Sequence, residues 1–193
     1  MLHEKLKDYK IILGSQSPRR QLLLKGLDIP FEVKVKETEE NFPPHLKRED
    51  IAIYLCKKKA AAFENDIDDK TLLITADTIV WINEHILNKP KDHADGVEIL
   101  TELSGKMHEV ITGVCLKTKN KTSSFYALTK VFFKELSLKE IEYYISNYKP
   151  WDKAGAYGAQ EWIGYVAIEK IEGSYFNVMG LPTRMLYEEL MRF

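Results

Sequence analysis

The chain has 193 residues, and its 28 lysines and arginines stand against 29 aspartates and glutamates, for a formal net charge of -1. A chain of this length suits one domain with a sizeable core, or two small lobes that share a sheet. The near balance of charge excludes a general nucleic-acid or membrane binder, because such proteins carry a basic surplus. Any anion site must therefore be local, and we expect one domain over residues 1–193.

Cysteine content and the N-terminal segment both favour a cytoplasmic protein. Cys56 and Cys115 are the only cysteines and form no CxxC pair, which is typical of a reduced, cytosolic chain. The opening MLHEKLKDYK is charged and lacks the apolar core of a signal peptide. No window approaches the roughly 18 apolar residues of a membrane span. The sequence therefore predicts neither a signal peptide nor a transmembrane helix.

Residues 11–25, IILGSQSPRRQLLLK, contain the first strong structural signal. Three aliphatic residues predict a short buried strand, which a glycine and a serine interrupt. Ser17 then suits a helix N-cap and Pro18 the first helical position. Arg19 and Arg20 follow in the first turn, where the helix dipole disfavours cations, so an anionic ligand is a ready explanation for them. A solvated arginine pair is the alternative that this local pattern leaves open.

A strand and a lysine-bearing helix are predicted next. Residues 31–35, FEVKV, alternate as a half-exposed strand does, and an acidic loop with Pro43-Pro44 follows. A helix is expected from near Asp50 to about Phe63, with three consecutive lysines at 57–59. Because helix neighbours point about 100° apart, at least one of these lysines must leave the solvent face. A fully solvated lysine surface is the alternative.

The run TLLITADTIVWI at residues 71–82 is the strongest strand signal in the chain. Asp77 interrupts it, and a buried carboxylate must be paired, hydrogen-bonded or bound to a metal, since a bare buried charge costs several kcal/mol or more. Asn83-Glu84 can close a hairpin into HILNKP. That hairpin brings Lys89 back toward the partner strand, so that Asp77 and Lys89 can face one cleft.

The middle of the chain alternates helix and strand signals. Asp92 caps a helix that Gly105 ends, and two long strands at residues 107–118 and 124–136 form an antiparallel hairpin across a KNK turn. The SLKE sequence at residues 137–140 is a capping box. The helix that it opens carries one apolar stripe, made of Ile141, Tyr144, Ile145 and Tyr148. We interpret this stripe as core or subunit contact rather than as a base-stacking surface.

Residues 149–165, KPWDKAGAYGAQEWIGY, combine glycines with polar side chains and show no hydrophobic period. Such a segment between firm helix and strand signals predicts a binding loop on a rigid frame. A strand over residues 165–171, a turn at GSY and a last helix opened by Leu181-Pro182 complete the chain.

The chemistry-bearing residues favour a hard metal ion and phosphate. The histidines lack zinc-ligand spacing, and no P-loop, strand-bounded GxGxxG or GxSxG motif is present. Asp77 with a glutamate from residues 37–40 can hold Mg²⁺ or Mn²⁺ together with substrate phosphates. The cations available to clamp phosphates are Arg19, Arg20, Lys59 and Lys89. This set is suited to attack of water on a phosphoanhydride.

Four sequence blocks, in order and spacing, resemble the Maf family of nucleoside triphosphate pyrophosphatases over nearly the full chain. They are GSQSPRRQLLL, LCKKKA, TADTIV followed by LNKP, and DKAGAYGAQ with GSYFNVMGLP. The resemblance implies an α/β fold with a central mixed, partly antiparallel sheet in two lobes flanked by helices. It also implies an active-site cleft between the lobes and a homodimer.

The resemblance further implies a role for individual residues. Asp77 matches the catalytic acidic residue that activates water or holds the metal, and Glu40 matches the second acidic, metal-binding position. Lys59 and Lys89 are expected to contact phosphates. The remaining positions expected to bind substrate or set base specificity are Ser15, Arg19, Arg20, Thr78 and Gln160.

The DKAGAYG block with Gln160 is similar to the branch that hydrolyses dTTP and UTP. One amide can donate to a pyrimidine carbonyl and accept from its N3–H, and Thr78 can add a hydroxyl contact. Residues 161–163, Glu-Trp-Ile, replace a glycine-containing stretch of the commoner family pattern, which bears on pocket shape and base preference.

The expected reaction converts dTTP or UTP and water into the monophosphate and pyrophosphate, with attack at the α-phosphorus, and modified pyrimidine triphosphates are expected substrates too. Such an enzyme would clear unwanted nucleotides from the pool. We expect no nucleic-acid or membrane partner. The alternatives are hydrolysis of 7-methyl-GTP or another modified nucleotide, and a non-catalytic, nucleotide-sensing regulator of septum formation.

Overall fold

The computed structural model describes residues 1–193 and contains seven strands and eight α-helices. The strands are β1 Lys10–Leu13, β2 Glu32–Val33, β3 Thr71–Ile82, β4 His85–Leu87, β5 Met107–Lys117, β6 Thr122–Phe133 and β7 Ile168–Glu172. The helices are α1 Leu2–Lys5, α2 Pro18–Lys25, α3 Glu49–Ala61, α4 His93–Leu103, α5 Leu138–Tyr148, α6 Trp162–Ala167, α7 Tyr175–Val178 and α8 Thr183–Arg192. None of these helices has the length and apolar character that crossing a lipid bilayer requires.

Side-chain caps fix where the main helices begin. Ser17 accepts a hydrogen bond from the Arg20 amide at the start of α2, and Asp92 accepts one from the Asp95 amide at 2.9 Å in α4. The capping box of α5 forms in both directions between its N-cap serine and Glu140. These contacts satisfy amides that have no partner within their helix, and they confirm three predicted helix starts.

The sheet is mixed, as predicted, and its strand order is β2-β1-β3-β5-β6-β7, with β4 paired to β3. Strand β1 pairs in parallel with β2 and β3, whereas β4 pairs antiparallel with β3 and β7 antiparallel with β6. Asn83 and Glu84 join β3 to β4 with φ values of 48° and 64°. Two consecutive residues of positive φ are the signature of a tight hairpin turn, so the predicted hairpin is confirmed.

The contacts between residues group the chain into two compact units. The first unit comprises Met1–Asp77, Thr112–Ala127 and Gly180–Phe193, and the second comprises Thr78–Ile111 and Leu128–Met179. Asp77 is therefore the last residue of the first unit in β3, and Thr78 is the first residue of the second.

Helix α3 lies against β5 in the first unit because the strand offers a residue without a side chain. A Cβ on Gly113 would come within 2.4 Å of the Ala52 carbonyl oxygen, so only glycine permits this approach. The two elements and β1 and β3 contribute to one buried cluster: Ile12, Cys56, Ala60, Phe63, Ile67, Leu73 and Cys115. This packing fixes the direction in which α3 presents its lysines.

The second unit buries the apolar stripe of α5 against α4 and the sheet. Ile141, Tyr144 and Ile145 are all buried, and they share one cluster with Leu100 and Leu103 of α4. The core interpretation of this stripe is confirmed for these three positions. Tyr148 is the exception, since 38% of the residue is exposed.

Three predicted segments differ from the structure. The strand predicted over residues 31–35 has only two residues, in β2, and both are exposed. Residues 162–167 form helix α6 instead of the end of a loop and the start of a strand, so β7 begins at Ile168 rather than at residue 165. The helix forms because it buries Ile163 and Ala167 completely, a tertiary gain that a local pattern does not reveal. The GSY turn likewise opens a short helix, α7, which Ser174 caps.

Candidate active site

The start of α2 presents the predicted arginine pair. Pro18 occupies the first helical position, and Ser17 donates its amide to the buried hydroxyl of Ser15 at 3.2 Å. Arg19 and Arg20 follow in the first turn and are both half-buried. Ser15 therefore acts locally on the approach to the helix, and the first turn holds two guanidinium groups at the positive end of the helix dipole.

Arg20 connects α2 to the segment that precedes α8. Its Nε donates to the Gly180 carbonyl oxygen at 2.8 Å. Burial lowers the pKa of Arg20, while the carboxylates of Asp77 and Glu40 act in the opposite direction. A guanidinium keeps its charge in proteins, so Arg20 is a fixed cation within electrostatic range of both acids.

Lys59 gathers the two acids that the sequence assigned to the site. Its Nζ lies 3.0 Å from Oε1 of Glu40 and also forms an ion pair with Oδ1 of Asp77. The Asp77 side chain is only 8% exposed and that of Lys59 only 18%. The prediction that a carboxylate inside β3 needs a partner is confirmed, and so is the prediction that one of the three lysines leaves the solvent face.

The neighbouring lysine holds the loop that carries Glu40. Lys58 donates to the backbone oxygen of Asn41 at 3.2 Å and also to its side-chain oxygen, while the Asn41 amide donates to Glu39 at 2.8 Å. Two consecutive lysines of α3 thus bind Asn41 and Glu40, and of the three lysines only Lys57 stays on the exposed surface. The solvated-surface alternative therefore describes Lys57 alone.

The second unit holds Thr78, Lys89 and Gln160. Thr78 is half-buried in β3, and Lys89 is exposed just after β4. The Gly155 amide donates to the Asn88 carbonyl oxygen at 3.2 Å. This bond joins the loop that carries Lys89 to the glycine-rich loop that carries Gln160.

Gln160 has an unusual environment for a polar side chain. Its Oε1 is buried and has no hydrogen-bond partner. An unpaired buried acceptor costs about 1–3 kcal/mol, so native proteins rarely keep one without a reason. A ligand N–H directed at this oxygen would remove the cost.

The structure brings some predicted residues together within each unit. In the first unit Lys59 is in direct contact with both Glu40 and Asp77, and Arg20 is within electrostatic range of the two acids. In the second unit the loops of Lys89 and Gln160 are bonded to each other. No group of three or more His, Cys, Asp or Glu side chains is arranged to hold a metal ion.

Known proteins match the chain along almost its whole length. It is 53% identical to a dTTP/UTP pyrophosphatase of Flavobacterium johnsoniae over 190 residues, covering 98% of each chain. It is 54% identical to a dTTP/UTP pyrophosphatase of Phocaeicola vulgatus, again covering 98% of each chain. A solved nucleoside-triphosphatase, a dITP/XTP pyrophosphatase from Mycobacterium abscessus, aligns with a TM-score of 0.41 and 15% identity over 66% of this chain and 75% of its own. The family model for Maf-like proteins matches residues 10–193, and the chain therefore belongs to the Maf family.

Proposed function

We propose that the protein is a nucleoside triphosphate pyrophosphatase that hydrolyses dTTP and UTP to the monophosphate and pyrophosphate. The observation that carries the proposal is the cluster of Asp77 and Glu40 on Lys59, with Arg20 nearby. This cluster combines acids for a cation and for water with cations for phosphate. Full-length relatives with about half their residues identical are dTTP/UTP pyrophosphatases, which supports the same activity here.

The two acids fit a divalent cation of the hard, oxygen-binding kind. Because one ammonium group pairs with both, Asp77 and Glu40 lie close enough to share a single cation. Mg²⁺ commonly uses one or two carboxylates and completes its shell with phosphate oxygens and water, so a two-carboxylate site suits Mg²⁺ or Mn²⁺. When bound, such an ion would neutralise phosphate charge and acidify a water molecule.

The basic residues bind and orient the triphosphate. Lys59 has three N–H donors and can direct them to phosphate as well as to its two carboxylates. Arg19 and Lys89 supply further positive charge, and Arg19 does so from the first turn of α2. Arg20, which is already bonded to Gly180, supports that helix start while adding to the positive potential. Together they would neutralise the charge that repels a nucleophile.

Asp77 is the group best placed to handle the proton of the attacking water. In the proposed reaction water attacks the α-phosphorus, the bond to the bridging oxygen breaks, and pyrophosphate leaves. Asp77 orients the water and accepts its proton. General-base catalysis of this kind accelerates a reaction by about 10²–10⁴-fold. Its burial in β3 holds the carboxylate in place for this task.

Gln160 is proposed to recognise the base. Its unpartnered Oε1 can accept the N3–H of uracil or thymine, and its amide nitrogen can donate to a ring carbonyl. Thr78 adds a hydroxyl that can serve the same ring. Cytosine lacks the N3–H, so the arrangement favours UTP and dTTP over CTP.

A panel of nucleotides tests the proposal. Purified protein with Mg²⁺ or Mn²⁺ should release pyrophosphate from dTTP, UTP and 5-methyl-UTP, and EDTA should stop the reaction. Faster hydrolysis of 7-methyl-GTP than of dTTP and UTP would contradict the proposed base preference and support a 7-methyl-GTP pyrophosphatase instead. Tight nucleotide binding with no pyrophosphate release under any metal would instead support a sensor.

The homodimer stays a prediction that rests on the family resemblance, and the cytoplasmic location stays a prediction that rests on the cysteine content and the charged N-terminal segment. Size-exclusion chromatography with light scattering measures the first directly, with an expected mass of twice 22.4 kDa.

A further inference from the structure

We propose that Tyr144, Lys153 and Glu161 form a clamp that positions Gln160 for base selection. The inference rests on the proposed function, because it assigns three positioning residues to the same nucleotide. None of the three needs to touch the substrate. They would act by fixing the backbone turn from which the Gln160 side chain projects.

The turn itself is well defined. The Glu161 amide donates to the Gly158 carbonyl oxygen at 3.0 Å, which makes residues 158–161 a four-residue turn with Ala159 and Gln160 at its centre. The Gly164 amide then donates to the Glu161 carbonyl oxygen at 2.8 Å as α6 begins. Gln160 therefore sits at a fixed position at the end of the glycine-rich loop, directly before the N-cap of α6.

One phenol group holds both ends of this turn. The Gly158 amide donates to the Tyr144 hydroxyl at 3.0 Å, so this oxygen accepts there. Its own proton is then free to go to Glu161 Oε2, to which it donates. Burial, and then the contact with Glu161, raises the pKa of Tyr144, which keeps the group protonated as this geometry requires.

Lys153 completes the clamp from the other side of Glu161. Its Nζ lies 3.0 Å from Glu161 Oε1, and the two side chains are only 10% and 23% exposed. Lys153 also pairs with Asp152 at 2.8 Å. A mostly buried carboxylate with both oxygens engaged is hard to move, because loss of Lys153 would leave its charge unpaired and loss of the Tyr144 hydroxyl would leave one oxygen without its donor.

Steric contact closes the remaining space around the turn. A Cβ on Gly158 would lie 2.8 Å from the Glu161 carboxyl carbon, so the carboxylate fills the volume that any other residue would need at position 158. The clamp also explains how Gln160 Oε1 stays buried without a partner. A loose turn would rotate that oxygen toward a donor or toward water, whereas a turn fixed at both ends keeps it aimed at an incoming N–H.

Tyr144→Phe tests the clamp, with Tyr148→Phe as its matched control. Each change removes one phenolic hydroxyl. The Tyr148 ring merely stacks on the Tyr144 ring, with 5.0 Å between the ring centroids. We expect the ratio of kcat/KM for UTP to that for CTP to fall about tenfold or more in Tyr144→Phe, through KM for UTP rather than kcat, and to change less than twofold in Tyr148→Phe. An equal loss on both nucleotides, or an unchanged ratio, would contradict the clamp.

Glu161 offers a second test if Tyr144→Phe folds poorly. Glu161→Gln keeps an oxygen that can accept from Tyr144 but loses the charge that pairs with Lys153, whereas Glu161→Ala loses both. Selectivity should therefore fall less in the glutamine variant than in the alanine variant. Equal selectivity in these two variants would show that the hydrogen bond to Tyr144 does not position Gln160.

Hydrogen exchange separates the clamp from the proposed function. The amides of residues 158–164 should exchange at least tenfold faster in Tyr144→Phe than in Tyr148→Phe, with no similar change in α4. If the wild-type protein releases no pyrophosphate from dTTP or UTP, the proposed function fails and exchange alone decides whether the clamp exists. Unchanged exchange at these amides would rule the clamp out.

Discussion

The cluster on Lys59 and the turn that carries Gln160 solve different recognition problems by different means. Lys59 pairs with two carboxylates, Asp77 and Glu40, and all three groups carry a charge. Gln160 is neutral and presents an acceptor without a partner. Charge attraction falls off slowly with distance, whereas a hydrogen bond weakens steeply once its angle drops below about 120°.

This difference explains the supporting structure of each region. The charged cluster is formed by side chains from β3, α3 and an exposed loop, and Glu40 remains 43% exposed there. The Gln160 turn is instead fixed by a buried phenol and an ion pair. We infer that phosphate and metal chemistry tolerate some movement, while base selection depends on a rigid frame.

The largest expected effect is in the charged cluster. Asp77→Asn should lower kcat by about 10³-fold or more, because it removes both the proton acceptor and a metal ligand. Nucleotide binding, measured by calorimetry in the presence of Ca²⁺, should change little. Asp69→Asn makes the same change at an exposed aspartate that precedes β3, and it serves as the control. Near-normal pyrophosphate release by Asp77→Asn would show that the proposed mechanism is wrong.

The next largest effect should follow loss of the lysine between the acids. Lys59→Met leaves Asp77 and Glu40 without their shared cation and removes a phosphate contact, so kcat/KM should fall about 10²-fold for every nucleotide. Lys57→Met changes an exposed lysine of the same helix and should keep nearly full activity. Equal activity of the two variants would place phosphate binding elsewhere.

A change in the Gln160 turn should alter selectivity rather than rate. Gln160→Leu removes the amide, and the preference for UTP over CTP should fall about 10-fold to 100-fold, the range of a lost two-bond base contact. Activity toward CTP should stay within a few-fold of wild type. Equal losses of kcat/KM for UTP and CTP, as expected for Lys59→Met, would contradict the assignment of base selection to Gln160 and of phosphate chemistry to the Lys59 cluster.

The smallest effect concerns stability in acid and belongs to the second unit. His108 is buried, its Nε2 is 2.8 Å from the Tyr157 hydroxyl, and its Nδ1 has no partner. Burial lowers the pKa of His108 from 6.5 to about 3. Between pH 6.5 and about pH 3, His108 is therefore protonated in the unfolded chain but neutral in the folded protein. The free energy of unfolding consequently falls as the pH falls from 6.5 to about 3.

Urea unfolding at pH 7 and pH 5 measures this effect. The His108 contribution should cost the wild-type protein about 2 kcal/mol between these two values. His108→Gln cannot take up the proton but can still form a hydrogen bond with Tyr157. Its free energy of unfolding should therefore fall by about 2 kcal/mol less than that of the wild-type protein over the same pH range. An identical pH dependence in the two proteins would mean that another group dominates.

Helix caps and buried strands were predictable because their causes lie within a few residues. Ser17-Pro18, Asp92 and the SLKE box each satisfy amides in their own first turn. The run at 71–82 is apolar enough to be a buried strand whatever surrounds it, and β3 has those bounds. The need of Asp77 for a partner followed from the same run, since burial of a carboxylate is costly in any fold.

Other features depended on residues far apart in the chain. Helix α6 contains Gly164, which no local rule would favour, yet a Cβ there would lie 1.9 Å from the Ala159 carbonyl oxygen, so its place is set by close backbone approach. Which of three consecutive lysines turns inward depended on where β3 and the loop at 39–41 lie beside α3. The sequence predicts Tyr144 only as a core residue, whereas in the structure its hydroxyl also accepts from the Gly158 amide and donates to Glu161.

The sequence by itself determined the family, the mixed α/β fold and the types of side chain in the site, because motifs, periodicity and the cost of buried charge are local or compositional. Only the tertiary structure decided that Lys59 joins Glu40 to Asp77 and that Tyr144 holds the Gln160 turn. The physical reason is that a hydrogen bond, or the direct contact of an ion pair, requires its two atoms to lie about 3 Å apart. Partners that are 14 to 19 residues apart along the chain come within that distance only when the whole fold packs.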